Sequence, residues 1–248
     1  MIKRLAFSLL TIALCTTANA IIIPYGDFVG DDVMYLGVTE DTRMSPIALF
    51  GQPDVTGNKL DFDPTSFTAS AGPNNPNMIT DGQLNFTVMS NNASFPIEQV
   101  IIEEAGDFTL VGLGSALAEA SVGTLVRFTV TALDGVPTAA VPAGSAMMMF
   151  TPEADGMFDL ANNGGTAVPW AGMLNVDIAQ YLVDNNISGN ATKIEFSIDN
   201  TLTAVAADGG SAFIAKKDFN GVSITIPEPS SAIAAILGML SLGFLRRK

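Results

Sequence analysis

The stretch that decides the fold is Gln83-Leu84-Asn85-Phe86-Thr87-Val88. Leu84, Phe86 and Val88 alternate with polar neighbours at a period of two, and successive side chains of a strand point to opposite faces. One face of this segment is therefore apolar and the other wettable, the signature of a half-buried antiparallel strand. The pattern recurs along the chain. Val126, Phe128 and Val130 alternate with Arg127, Thr129 and Thr131; Ile194, Phe196 and Ile198 with Lys193, Glu195, Ser197 and Asp199; Val222, Ile224 and Ile226 with Ser223 and Thr225. Further strands are expected at 32–38, 98–104, 107–112, 146–151, 201–206 and 211–216.

Asp81-Gly82, Ala105-Gly106-Asp107, Asp134-Gly135, Asp208-Gly209-Gly210 and Asn220-Gly221 read as turns between these strands, because glycine and its partners tolerate positive φ. Pro/Asn/Gly-rich stretches at 71–77 and 162–169 read as surface loops. One helix is expected at 176–185, where Val176, Ala179, Tyr181, Leu182 and Val183 are broadly amphipathic. No repeat of fixed period and no internal linker occurs. The expectation is one all-β domain, an antiparallel, jelly-roll-like β-sandwich over residues 21–226.

The charge is unevenly spread. Of 11 Lys and Arg, five lie at the termini, so residues 21–226 hold six against 24 of the 25 acids, a net of −18. Such a body repels nucleic acid and anionic membrane surfaces. The single cysteine, Cys15, precedes the body, so the body has no disulfide and no thiol chemistry. The chain has no histidine. That excludes Ser-His-Asp and Cys-His catalysis and His-ligated zinc or iron. Gly112-Leu113-Gly114-Ser115 lacks the lysine of a phosphate loop.

The N-terminus has the parts of a secretory leader: Lys3 and Arg4, an apolar run from Leu5 to Leu14, then Ala18-Asn19-Ala20. The small side chains of Ala18 and Ala20 suit the signal peptidase pocket, and cleavage is expected after Ala20. A lipidated Cys15 would need a small residue before it, and Leu14 stands there. The C-terminus runs Pro227-Glu228-Pro229, a charge-free stretch from Ser230 to Leu245, and Arg246-Arg247-Lys248. The prolines break any preceding structure. As a helix the stretch would reach about 24 Å against roughly 30 Å of hydrocarbon, too short for a settled span. A buried core helix would carry a polar face, yet only Ser241 is polar from 232 to 245. Cations at both ends favour the cytoplasmic side, which leaves the body outside.

On Pro227-Glu228-Pro229, the short apolar stretch and Arg246, Arg247 and Lys248, the C-terminus resembles the sorting tail of PEP-CTERM proteins of Gram-negative bacteria. The resemblance covers residues 227–248. It implies export through the secretion machinery, transient membrane attachment through the helix at 230–245, and recognition by an exosortase that cuts near the tripeptide. Proteins of this class belong to bacteria that make exopolysaccharide and biofilm, so a surface or matrix location and an exopolysaccharide partner are implied.

Two kinds of site survive in the body. Paired carboxylates could hydrolyse sugars, but Glu103 and Glu104 on a strand point to opposite faces, which argues against that pair. Asp27, Asp31 and Asp32, the pair Asp61 and Asp63, and Asp184/Asn185/Asn186 offer oxygen ligands to calcium or are solvated turns; none has EF-hand spacing. No other cofactor is indicated. Trp170, the only tryptophan, follows a loop and Pro169; it is either an exposed platform for a sugar ring or a plug in the sandwich core. The leading expectation is a non-enzymatic surface or matrix protein, with a carbohydrate-binding module and a carboxylate hydrolase as alternatives.

Overall fold

The computed structural model describes residues 21–42, 46–92, 95–217 and 221–229. The leader with Ala18 and Ala20, the turn at Asn220, and the tail helix with Arg246, Arg247 and Lys248 lie outside the described residues. Within them no helix is long and apolar enough to cross a membrane.

Among the described residues sixteen strands and two short helices follow in chain order. The first six strands are β1 (Ile21–Val29), β2 (Val33–Thr42), β3 (Asp54–Thr56), β4 (Lys59–Phe62), β5 (Thr68–Ala71) and β6 (Asn77–Ser90). Next come β7 (Gln99–Val111), β8 (Leu117–Leu133), β9 (Val136–Pro137), β10 (Gly144–Met147), β11 (Met149–Thr151), β12 (Met157–Asp159), α1 (Leu160–Asn163) and β13 (Gly165–Asp177). The chain continues with α2 (Ile178–Asp184), β14 (Ala191–Ala207), β15 (Ser211–Lys216) and β16 (Val222–Thr225). The first sheet has the order β1-β2-β6-β14-β8-β10, with β9 and β12 also on β8. The second has the order β11-β13-β7-β16-β4-β3, with β15 pairing both β5 and β7. All pairings are antiparallel, and from β5 to β8 each strand crosses to the other sheet, so the two sheets form the expected sandwich.

The alternation read from the sequence is the packing. Leu84, Phe86, Val88, Val126, Phe128, Val130, Ile194, Phe196 and Ile198 are buried, and their polar neighbours face outward. Phe86 stacks on Phe196 with ring centroids 5.5 Å apart, and Phe108 stacks on Phe158 at 4.2 Å. The Tyr35 hydroxyl of β2 lies 2.7 Å from the Asn58 carbonyl and 3.1 Å from that of Ile224, so a polar tie joins the sheets inside the apolar core. Burial raises the pKa of this phenol.

Two expected turns are strand interiors instead. Asp81-Gly82 lies within β6, and Ala105-Gly106-Asp107 within β7, which joins the expected strands 98–104 and 107–112. Strand glycines often mark close approach of a neighbour rather than a turn. A Cβ at Gly82 would lie 2.9 Å from Leu49; one at Gly106 would lie 1.9 Å from the Ala215 carbonyl and 2.8 Å from the Trp170 ring. The expected strands 193–199 and 201–206 likewise fuse into β14. The expected strand 146–151 splits at Met148, where the chain passes from the first sheet to the second. The loop 162–169 is shorter than expected, because β13 begins at Gly165 with a bulge before Val168. Asp134-Gly135 and Asp208-Gly209 do turn, all four residues having positive φ. The helix expected at 176–185 is α2, capped by Asp177, whose side chain accepts from the Gln180 amide.

Candidate functional site

The central strands of the first sheet present a polar outer face. Register places Asn85, Ser197, Arg127 and Ser145 in one row across β6, β14, β8 and β10. Thr87, Glu195 and Thr129 form the next row. Walls at Leu36-Gly37 of β2 and Ala143–Ser145 beside and within β10 make a groove of about 650 Å³ over these rows. Gln83 Nε2 donates to Asn85 Oδ1 at 2.7 Å and fixes that amide at the groove floor. Gly37 (φ 59°) forms its wall in a conformation that suits glycine, and its amide donates to Asp27 Oδ1 at 2.7 Å. Arg127 reaches Asp199 at 3.9 Å, and its side chain is half exposed. The lining is a set of amide, hydroxyl, guanidinium and carboxylate groups, the chemistry that meets a polyhydroxylated ligand. Among the described residues that line the groove, Glu195 is the only carboxylate.

Sequence reasoning missed this face, although the polar halves of its three alternating segments named it: Asn85 and Thr87, Arg127 and Thr129, Glu195 and Ser197. Their adjacency depends on strand order, which local alternation does not reveal.

Trp170 is not a platform. It is 2% exposed, on the inner face of β13, with Phe150 edge-on at 6.0 Å and the Lys216 ammonium 5.4 Å from its ring centroid. Gly106 opposite has no side chain, and the indole fills that space. Of the two readings the core plug is the one observed. Among the described residues no aromatic side chain is strongly exposed.

Four of the candidate calcium acids, Asp27, Asp32, Asp61 and Asp184, make local side-chain contacts. Asp27 holds Gly37, Asp32 Oδ2 accepts from Asn58 Nδ2 at 2.9 Å, and Asp61 lies 3.1 Å from Lys59. The Asp31 amide donates to the Gly57 carbonyl, Asp63 follows β4, and Asp184 accepts from Gln180 at 2.7 Å. No three acids among the described residues group as a metal site would require. Glu103 and Glu104 face opposite sides of β7, as expected.

Two buried acids are conspicuous. Glu40 of β2 is fully buried and accepts from the Tyr25 hydroxyl at 2.6 Å and from the Leu49 and Phe50 amides at 2.5 and 3.2 Å. Burial, then the bond to Glu40, raises the Tyr25 pKa strongly. Glu104 lies between the sheets and pairs with Lys216 of β15, both side chains wholly inaccessible. Thr124 Oγ1 of β8 lies 2.8 Å from Glu104 Oε2 and 2.8 Å from Asn200 Oδ1 of β14. Phe67 and Trp170 flank the Lys216 ammonium at 5.5 and 5.4 Å. Burial lowers the Lys216 pKa, and the charge of Glu104 and its hydrogen bond partly offset this.

No family model matches the chain, and no characterised protein matches it in sequence. Among solved structures it is similar to TmCBM61, solved in complex with beta-1,4-galactotriose, at 10% identity and a TM-score of 0.22, over 66% of this chain and 84% of that one. It is also similar to the family 11 xylanase from Neocallimastix patriciarum, at 9% identity and a TM-score of 0.20, over 79% of this chain and 100% of that one. Likenesses of this size do not bear on what the groove binds.

Proposed function

We propose that this chain is an exported, non-enzymatic surface or matrix protein, released from transient membrane attachment by an exosortase acting at Pro227-Glu228-Pro229. The observation that carries the reading is where the body stops. β16 is the last strand among the described residues, the Ile226 amide still bonds to the Asn58 carbonyl at 3.1 Å, and the tripeptide begins at the next residue, with Glu228 exposed and Pro229 buried. A protease cutting there would free the whole sandwich and leave its sheets intact. Mass spectrometry of the C-terminal peptide from the native host tests this. Termini near residues 227–229 are expected; an intact Arg246-Arg247-Lys248 on most molecules would overturn it.

The groove supports a second element of the reading, contact with matrix exopolysaccharide. The body's net charge of −18 repels acidic sugars, so a neutral glycan is the matching class. With no strongly exposed aromatic among the described residues, recognition would rest on hydrogen bonds, which favours weak, multivalent retention. Retention on purified neutral exopolysaccharide should fall several-fold for the double variant Arg127→Ala, Glu195→Gln. Unchanged retention rejects the groove as the contact face.

A further inference from the structure

The buried cluster between the sheets contains a nucleophile, a proton carrier and an electrophile. Lys216 supplies an amine, Glu104 a carboxylate in contact with it, and Asn200 a side-chain amide that Thr124 tethers to that carboxylate. Asn200, Thr124, Glu104 and Lys216 are each at most 1% exposed. We propose that Lys216 Nζ and Asn200 Cγ become joined by an amide bond, with Glu104 moving the protons.

The groups are suited to this in several ways. An ammonium is unreactive, and a lysine becomes a nucleophile when its surroundings disfavour the charged form. Full burial supplies such surroundings, opposing the Glu104 charge and the Phe67 and Trp170 ring faces, which favour the cation. Asn200 Nδ2 and Glu104 Oε1 are buried without a hydrogen-bond partner among the described residues, so one leaving nitrogen and one carboxylate oxygen are uncommitted. The Thr124 hydroxyl sits 2.8 Å from Asn200 Oδ1, where charge develops during attack on the amide. Exclusion of water suppresses hydrolysis of the intermediate. The bond requires Lys216 Nζ to swing from the carboxylate towards the amide on the far side of the Thr124 hydroxyl.

The step balances without any co-reactant. Glu104 takes a proton from the Lys216 ammonium, and the neutral Nζ attacks Cγ of Asn200. The protonated Glu104 gives its proton to Nδ2, and the Cγ–Nδ2 bond breaks as ammonia leaves. The new Nζ–Cγ amide sheds its extra proton to Glu104, which passes it to ammonia, and ammonium departs. The carboxylate is restored. The bond would staple β14 of the first sheet to β15 of the second. A body with no cysteine would thereby gain a covalent tie between its sheets.

The test is peptide mapping of the folded full chain after denaturation and trypsin digestion. Linkage predicts a peptide spanning 194–217, about 17 Da lighter than its sequence because ammonia is lost, with cleavage after Lys216 blocked. Glu104→Gln, with folding verified by circular dichroism, should restore cleavage after Lys216 and yield 194–216 at full mass; Lys216→Met supplies a second, apolar variant whose 194–217 peptide should lack the loss as well. Full mass in the wild-type protein overturns the proposal. So does covalent attachment to the tryptic peptide 60–127, about 18 Da below the two summed masses, which would mean condensation with Glu104 itself. A 17 Da loss with normal cleavage after Lys216 marks cyclisation of Asn200 and overturns it too, as does persistence of the loss in either folded variant.

Discussion

Replacing Glu40 by glutamine changes one atom's chemistry and leaves the shape almost intact. The carboxylate accepts three bonds, from Leu49 N on one oxygen and from Phe50 N and the Tyr25 hydroxyl on the other. A glutamine has one acceptor oxygen. Whichever way its amide turns, its NH2 group faces a buried backbone N–H that has lost its partner, while the Tyr25 hydroxyl can rotate to accept. A buried donor left unsatisfied costs about 1–3 kcal/mol, and bonds that lose their charged acceptor weaken further. Against this, the variant no longer buries a charge. The expected net loss is about 2–3 kcal/mol. Urea unfolding of the mature protein would read it as a lower midpoint at constant slope. Hydrogen exchange should accelerate first at Leu49 and Phe50. A loss below about 0.5 kcal/mol, with exchange at those two amides unchanged, would refute the role of Glu40 as the clip that holds segment 46–53 against the sandwich.

Trp170→Ala should destabilise the protein by about 3–5 kcal/mol through the cavity it leaves, yet leave retention of polysaccharide by the folded fraction unchanged; thermal unfolding and a retention assay check the two halves. Alkaline pH should unfold the body. The Tyr25 and Tyr35 pKa values are raised in the folded state above the ordinary 10.0, so their contribution to stability is complete below about pH 10 and is lost as pH rises beyond it. Phenolate absorbance from these two residues should therefore appear together with loss of β circular dichroism; ionisation ahead of unfolding would contradict their burial. Lys216 has the opposite sign. Its pKa is lowered, so if it remains an amine its burial costs least above its unfolded value of 10.5, and this opposes the tyrosines without reversing them.

Period-two alternation was enough to specify the all-β class, because a residue's face in a strand depends only on its parity. Leu84, Phe86 and Val88, or Ile194, Phe196 and Ile198, had to turn the same way whatever they packed against. The paired turns at Asp134-Gly135 and Asp208-Gly209 were legible for a similar local reason, since positive φ selects such residues. Opposite faces for Glu103 and Glu104 followed from parity too.

What stayed hidden depends on neighbours distant in the chain. Gly82 and Gly106 carry the letters of a turn but sit in straight strands, because Leu49 and Trp170 occupy the volume their side chains would fill. Trp170 was open between platform and plug until β7 and β13 were paired. The groove needs β6, β14 and β8 side by side, and the Lys216–Glu104–Thr124–Asn200 cluster draws on four strands from two sheets. Local chemistry chooses which face of a strand is apolar; only the order in which strands meet chooses which polar residues become neighbours, and that order is set by the packing of the whole core.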